Sequence, residues 1–402
     1  MAINIQKLLE AIQTSIGNAT PATPTRELEI LTKGAFKWGD NQITSFDSDG
    51  EFLDSATTSP FMLAYHTGKN NIYAFDSDRI WKSISGTASP VFVNGRGSTS
   101  GYASGGFAPG TTNVINKYPF SSDANATDVG DLTLARNYVS GQSSDVSGYT
   151  SGGFEPANSP TPTRWLDTID KFPFSSDGNA TDVGNLPANA GTRYGTAGQS
   201  SMTHGYVSGG IRVLPSGSPV VSNLNQKFSF ASDGDATGVG NLSNTSPPTN
   251  GSGLVAGQSS ENDGYVSGGQ TLPGANQNKI DKFPFSSDAN ASDVGDLTAA
   301  KKGMAGSSSD VSGYNSGGVT PSAINVIDKF PFASDGNATD VGDLLSNRYY
   351  MAGQSSTDNG YTSGGLTPNS NVIQKFPFSS DANSTDVGDL TGNSYGNAGQ
   401  QV

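Results

Sequence analysis

The sequence predicts an all-β protein built from repeated units, on three observations. First, the phrase Gly-Tyr-x-Ser-Gly-Gly recurs six times, with its tyrosine at Tyr102, Tyr149, Tyr206, Tyr265, Tyr314 and Tyr361. Second, each copy is followed by Lys-Phe-Pro-Phe or a close variant, an Asp/Asn-rich stretch and Asp-Val-Gly-Asp-Leu, as in Lys282 to Leu297. Third, successive tyrosines are 47, 57, 59, 49 and 47 residues apart. A period of about 50 residues suits a four-stranded blade and exceeds that of most helical repeats, so a closed β-propeller is expected.

Each unit divides into four short strands. The innermost is Tyr-x-x-Ala-Gly-Gln-Ser-Ser, as in Tyr350 to Ser356, and the second is Gly-Tyr-x-Ser-Gly-Gly. The third runs through Asn325 to Phe332, and the fourth is Asp-Val-Gly-Asp-Leu. All are bounded by Gly, Asn, Asp or Pro, as short antiparallel strands are. Glycine in the first two suits a crowded centre where backbones approach closely. Proline in the third lacks a ladder donor, so it should face an open side or a bulge.

Blade number follows from the ends. Phe61 to Tyr65, Asn71 to Phe75 and Ile80 to Ile84 read as second, third and fourth strands of a degenerate first blade, and Val91 to Gly95 as the inner strand of the next. Tyr395 to Gln400 is an inner strand with no blade after it. Seven blades over 61–402, latched by pairing Tyr395 to Gln400 beside Phe61 to Tyr65, is the expectation, with six as the alternative; closure removes exposed sheet edges.

The N-terminal stretch differs. Ile5, Leu8, Leu9, Ile12 and Ile16 share one helical face, and Leu28, Leu31, Ala35 and Trp38 mark a second candidate helix after Thr23-Pro24. Helices this short are marginal alone. Residues 1–40 are therefore expected to be a helical anchoring segment, docking through Ile5, Leu8, Leu9, Ile12, Ile16, Leu28 and Leu31 into an oligomer or larger assembly, with 41–60 as linker. Packing of the helices on each other or on the propeller is the alternative.

Composition narrows the function. Apolar residues are 33% of the chain, but their periodic placement argues for short strands over disorder. There is no cysteine, hence no thiol chemistry or disulfide. The start lacks a basic region followed by an apolar run, so no secretory signal is expected, and no segment approaches a membrane span. The net charge is −14 without a basic cluster, so nucleic acid is not an expected partner.

Candidate chemistry is sparse. His66 and His204 lack metal-ligand spacing, no hydrolase or phosphate-loop motif is present, and no catalytic residue, metal or cofactor is assigned. Ser121 to Asp131 alternates oxygen-bearing side chains in a calcium-like manner, but it lacks the glycine and final glutamate of an EF-hand loop. A turn held by side chain to backbone bonds is the expected reading. The loops joining second to third and fourth to first strands vary, and they emerge on one face. They are longest at Phe154 to Thr168, Ile211 to Asn225 and Ser243 to Ser252. Arg164, Trp165 and Arg212 in these loops combine aromatic area with charge and are the candidate binding residues, against tolerated surface drift.

Gly152-Gly153, Ile169-Asp170-Lys171-Phe172 and Leu132 to Arg136 resemble the diglycine and following strands of kelch-type propellers. The kelch tryptophan of the fourth strand is replaced by Val129, Val183 or Val294. The kelch-propeller copper oxidases need a cysteine that this chain lacks. Near-identical Gly/Ser/Asn-rich repeats behind a short N-terminal segment are similar to virion appendage proteins of bacteriophages, particularly those infecting marine cyanobacteria. That resemblance implies a non-enzymatic virion structural protein of the tail or head fibre type, oligomeric, contacting other virion proteins through its N-terminus. Its propeller would present a surface for a host glycan or protein. A polysaccharide-degrading enzyme and a cellular kelch-like scaffold are the alternatives.

Overall fold

A computed structural model describes residues 96–402 apart from the loop stretches 108, 157–162, 188–192, 214–217 and 244–250, together with the backbone of six strands between residues 28 and 83. The chain divides into two units, 1–93 and 94–402.

In the first unit the six strands form one sheet in sequence order: Leu28–Ile30, Phe36–Trp38, Asn41–Phe46, Leu63–His66, Asn71–Phe75 and Trp81–Ser83. Neighbours are antiparallel except the third and fourth, which pair Thr44 with Ala64 in parallel. This corrects three expectations. Leu28 and Trp38 lie on strands where a second helix was expected, because Leu28-Glu29-Ile30 and Phe36-Lys37-Trp38 each alternate apolar and charged residues. Period two outweighs the looser helical spacing, and β-branched and aromatic residues favour the strand. Residues 41–46 are strand rather than linker. Strands expected near 61–84 exist, but they join this sheet and build no seventh blade. Ile5, Leu8, Leu9, Ile12, Ile16 and Leu31, and the strand expected at 91–95, lie outside the described residues.

The second unit is a β-propeller of six four-stranded blades, consistent with a kelch-like architecture. Blade 1 combines the C-terminal Ala398–Gln401, as inner strand, with Ser100–Ser104, Val114–Pro119 and Thr127–Asp131. The inner strands of blades 2 to 6 are Ser140–Ser143, Ala197–Ser200, Ala256–Ser259, Ala305–Ser308 and Ala352–Ser355. The C-terminal strand does complete a blade, but the expected latch beside Phe61 to Tyr65 is not formed: this strand meets the one around Tyr102, Gln400 pairing with Tyr102.

Six blades close because every repeated residue finds its partner one blade on. A Cβ added to the inner-strand glycine would fall 2.0–2.2 Å from the carbonyl oxygen of its neighbour's glycine, all the way round through Gly141, Gly399, Gly353, Gly306, Gly257 and Gly198. Only glycine permits that approach. The glutamine one residue on reaches the tyrosine carbonyl of the following blade: Gln142 Nε2 to Tyr206 O at 3.1 Å, Gln199 to Tyr265 at 2.9 Å, Gln258 to Tyr314 at 3.1 Å, Gln354 to Tyr102 at 2.8 Å and Gln400 to Tyr149 at 2.9 Å. In blade 5 the shorter Ser307 spans the same gap to Tyr361 O at 3.5 Å.

Further out, each buried tyrosine packs on the next blade's aromatic pair, as Tyr149 does on Phe228 and Phe230 at 5.3 and 4.9 Å between ring centres. The last of these contacts, Tyr361 on Tyr118 and Phe120, shuts the ring. At the rim the third-strand lysine meets an aspartate of the next blade's loop six times over, from Lys117–Asp177 at 3.0 Å to Lys375–Asp123 at 2.6 Å. These half-exposed pairs align blades more than they stabilise them, at about 0–1 kcal/mol each.

The third-strand proline sits past the end of the fourth strand, where Lys117 pairs with Thr127, so its missing N–H faces an open side as expected. The bulge lies further back, between Ile115 and Asn116 and at the equivalent place in every blade. Val129, which stands where kelch repeats carry tryptophan, packs between blades beside Leu132 and Phe172.

Removing Ala398 to Val402 deletes one inner strand and its contacts to both neighbouring blades. The melting temperature of the truncated protein is expected to fall by about 10 °C or more. A melting curve superimposable on that of the full chain would contradict closure by this strand.

Candidate functional site

The Asp/Asn-rich loop has structural partners for its oxygens. In blade 1 Asp123 pairs with Lys375, Asn125 Oδ1 accepts the Asp389 N–H at 3.0 Å, and Asp128 Oδ1 accepts the Gly130 N–H at 3.2 Å. The Asn-to-backbone clasp recurs between all six blades, with Asp235 standing in for Asn in blade 3. The loop is therefore an inter-blade clasp, with one local bond, from Gly130 N–H to Asp128, of the kind a side-chain-held turn makes.

Buried acids are also tied down. Asp170 and Asp328 on third strands are fully buried against Arg136 Nη2 at 2.8 Å and Lys301 Nζ at 3.1 Å. Both also take bonds from the preceding blade, Asp170 from Thr133 and Asp328 from Thr298. In blade 3 the arrangement changes: Arg193 faces Gln226, and burial lowers its guanidinium pKa to about 9. In blade 4 Asp281 has no buried cation; Ser243 donates to it through N–H and Oγ, and burial pushes its carboxyl up. His204 Nδ1 bonds Thr203 Oγ1 at 2.8 Å, at the start of a second strand.

Along the axis lies a cavity of about 120 Å³ lined by the six inner strands and the residues leading into them, from Val139, Val255, Met304 and Met351 at one end to Ser143, Ser200, Ser259 and Ser308 at the other. On the short-turn face, Arg96 is buried against Asp310 at 2.6 Å, with Asp358 and Glu261 adding to the negative field. The short turns of blades 2 to 6 keep one length and one serine-held geometry; the loops of the other face do not.

On that variable face the chain enters each inner strand through a residue of left-handed backbone, and the identities alternate. Gly396, Gly195 and Gly303 serve blades 1, 3 and 5, whereas Tyr138, Leu254 and Tyr350 serve blades 2, 4 and 6, at φ of 52°, 57° and 58°. A side chain in this region costs about 1–2 kcal/mol relative to glycine, so three such residues in register are a built feature. Each bulky residue covers its neighbour's glycine: Leu254 lies over Gly195, Tyr350 over Gly303 and Tyr138 over Gly396. Backbone bonds run around the ring, among them Gly195 N to Tyr138 O at 2.9 Å and Leu254 N to Gly195 O at 2.7 Å. The axis is thereby capped.

Around the cap runs a collar in which the residue before each capping position pairs with the residue after the diglycine. The pairs are Tyr395–Phe107, Asn137–Phe154, Tyr194–Ile211, Gly253–Gln270, Lys302–Val319 and Tyr349–Leu366. Blades 6, 1, 2 and 3 make this collar aromatic and apolar; blades 4 and 5 make it polar, with Lys302 Nζ 2.6 Å from Gln270 Oε1.

Trp165 belongs to this surface. Its hairpin, Phe154–Glu155 with Arg164–Trp165, places it 4.5 Å from Phe154 and stacked on Tyr194 at 4.9 Å. Tyr194 lies 5.9 Å from Tyr138, which meets Tyr350 at 4.9 Å and Tyr395 at 6.2 Å; Tyr349 and Phe107 extend the tract. All eight rings are half-buried. Burial, with the neighbouring phenols, raises the Tyr350 hydroxyl to about 12.

The structure thus brings Trp165 into a larger aromatic site and gives Arg164 a supporting place, 3.5 Å from Glu155. Arg212 lies on the second hairpin, Ile211–Val213 with Pro219–Val221, where its charge depresses Arg193. Sequence reading missed Tyr138, Tyr194, Tyr350 and Tyr395. Aligning the residues three before each axial glycine would have exposed the Tyr/Gly/Leu/Gly/Tyr/Gly alternation. No protein-family model matches the chain, and no curated protein is detectably similar to it.

Asp281→Asn gives a pH-dependent test of the buried-acid assignment. Because burial raises the carboxyl pKa on folding, the folded state favours the protonated acid: that carboxyl's contribution to stability is full below the ordinary aspartate range and is lost as pH rises through the raised pKa. The amide, which Asn116 already uses in blade 1 to accept from Thr391, should stabilise the fold by about 1 kcal/mol at neutral pH. The gain should vanish in acid. Urea titrations at neutral and acidic pH check this, and a stability loss at neutral pH would contradict it.

Proposed function

We propose that this protein is a non-enzymatic, bacteriophage-type virion appendage protein whose propeller displays its variable face as a binding surface, while the N-terminal segment joins it to other virion proteins. The observation that carries the reading is the unequal division of variation. Residues of the inner strands and rim repeat because each makes the same inter-blade contact. The collar, by contrast, breaks the pseudo-symmetry with aromatic residues and two loop hairpins. Half-buried aromatics beside arginines are frequent energetic anchors of binding surfaces, and variable loops on a rigid scaffold are where recognition resides. A host-surface glycan or protein is the expected target.

Particles carrying Trp165→Ala or Arg212→Ala are expected to assemble normally and adsorb to host cells about tenfold less well, whereas Leu8→Asp with Ile12→Asp should leave the propeller folded and prevent incorporation. Normal adsorption by both loop variants would refute the binding face. Normal incorporation of the N-terminal variant would refute the anchor. Depolymerisation of a host polysaccharide by the purified protein would replace the display role with an enzymatic one.

A further inference from the structure

We infer that the capped axial mouth, together with the aromatic half of the collar, is a binding site for a neutral oligosaccharide of hexopyranose units. This deepens the reading of the variable face as the binding surface and rests on it. Three features select the ligand class. Five of the eight contiguous rings are tyrosines, Tyr138, Tyr194, Tyr349, Tyr350 and Tyr395, so flat apolar area and hydroxyl donors and acceptors occur side by side. A pyranose offers that same combination, an apolar C–H face edged by hydroxyls, whereas an aliphatic partner would leave the phenol oxygens unmatched.

The collar pairs carry no carboxylate, Lys302 already donates to Gln270, and on the adjoining hairpin Arg164 is paired with Glu155. With a net charge of −14 on the chain, a polyanionic glycan is repelled at long range. The tract also crosses four blades, from Tyr349 of blade 6 to Tyr194 of blade 3, which is more than one sugar ring covers. Tyr138 and Tyr350 are held in a left-handed backbone that glycine adopts freely in blades 1, 3 and 5. Rings maintained at such positions, at the centre of the tract, point to a floor on which a ligand rests.

That alternation also supplies a mild test. Tyr138→Gly and Tyr350→Gly remove a ring each while inserting the residue that the alternate blades use, so the backbone is relieved. The full chain is assayed on immobilised neutral glucosyl, galactosyl and mannosyl oligosaccharides beside uronate- and sialate-containing ones, and hits are titrated in solution. Binding to one or more neutral oligosaccharides is expected, weakened about tenfold or more by either glycine variant and unchanged by Val311→Ser on the exposed opposite face (60% exposed). Tyr138→Phe, which keeps the ring and loses the hydroxyl, should fall between. Binding to acidic glycans alone, to no glycan, or equally by Tyr138→Gly overturns the inference. If the glycan surface stays blank while Trp165→Ala still reduces adsorption, the variable face binds a different chemistry and only the sugar assignment fails. If adsorption is unaffected too, both fail.

Discussion

Six glycines in van der Waals contact around the axis are the constraint on which the rest of this propeller depends. Because each inner strand touches its neighbour backbone to backbone at Gly141, Gly198, Gly257, Gly306, Gly353 and Gly399, the blades have one permitted spacing. That spacing brings the glutamines within reach of the next blade's tyrosine carbonyl, seats each tyrosine on the following Phe-Pro-Phe, and sets lysine against aspartate at the rim. Every one of these contacts runs in the same direction, from a blade to its successor, which makes the near-identity of the repeats a geometric requirement. Where one member changes, its partner adjusts. Pro187 has no N–H to give blade 3, and there Gln226 turns to Arg193 in place of the carboxylate pairing of blades 2 and 5.

The same tight axis has a consequence for function. Inner strands this close leave only a small cavity, so the centre cannot hold a sizeable ligand, and the surface above it becomes the place where sequence can differ without loosening the ring. The alternation of glycine with Tyr138, Leu254 and Tyr350 is the local solution: three large side chains fit over the axis only if their three neighbours have none. The collar residues outside this cap take no part in blade-to-blade packing of the repeated kind, so they vary, and variation has concentrated aromatics over blades 6, 1, 2 and 3.

Much of this was legible in the sequence. The four strands of each blade, the role of glycine at the centre, the proline on an open side and the inner strand at the C-terminus, though not its partner, all follow from residue chemistry at a fixed period. Blade number did not, because Phe61 to Ile84 carries strand-forming residues without the lysine–aspartate and tyrosine–phenylalanine complements that admit a strand to the ring. Leu28 and Trp38 suggested a helix since apolar spacing alone does not separate period two from period 3.6 in so short a stretch. Trp165 was found as a lone large aromatic in a variable loop. Tyr138 and Tyr350 were not, since they sit inside a repeated phrase and differ from their equivalents only when the six copies are aligned.

The dependence of the ring on axial glycine contact is open to direct measurement by comparing Gly257→Ala with Gly336→Ala in chemical denaturation. A methyl group at Gly257 would lie 2.2 Å from the Gly198 carbonyl oxygen, whereas one at Gly336 meets nothing within 4 Å. The axial substitution is predicted to cost about 3 kcal/mol or more, and the loop substitution close to none. Equal stability of the two variants would contradict the account.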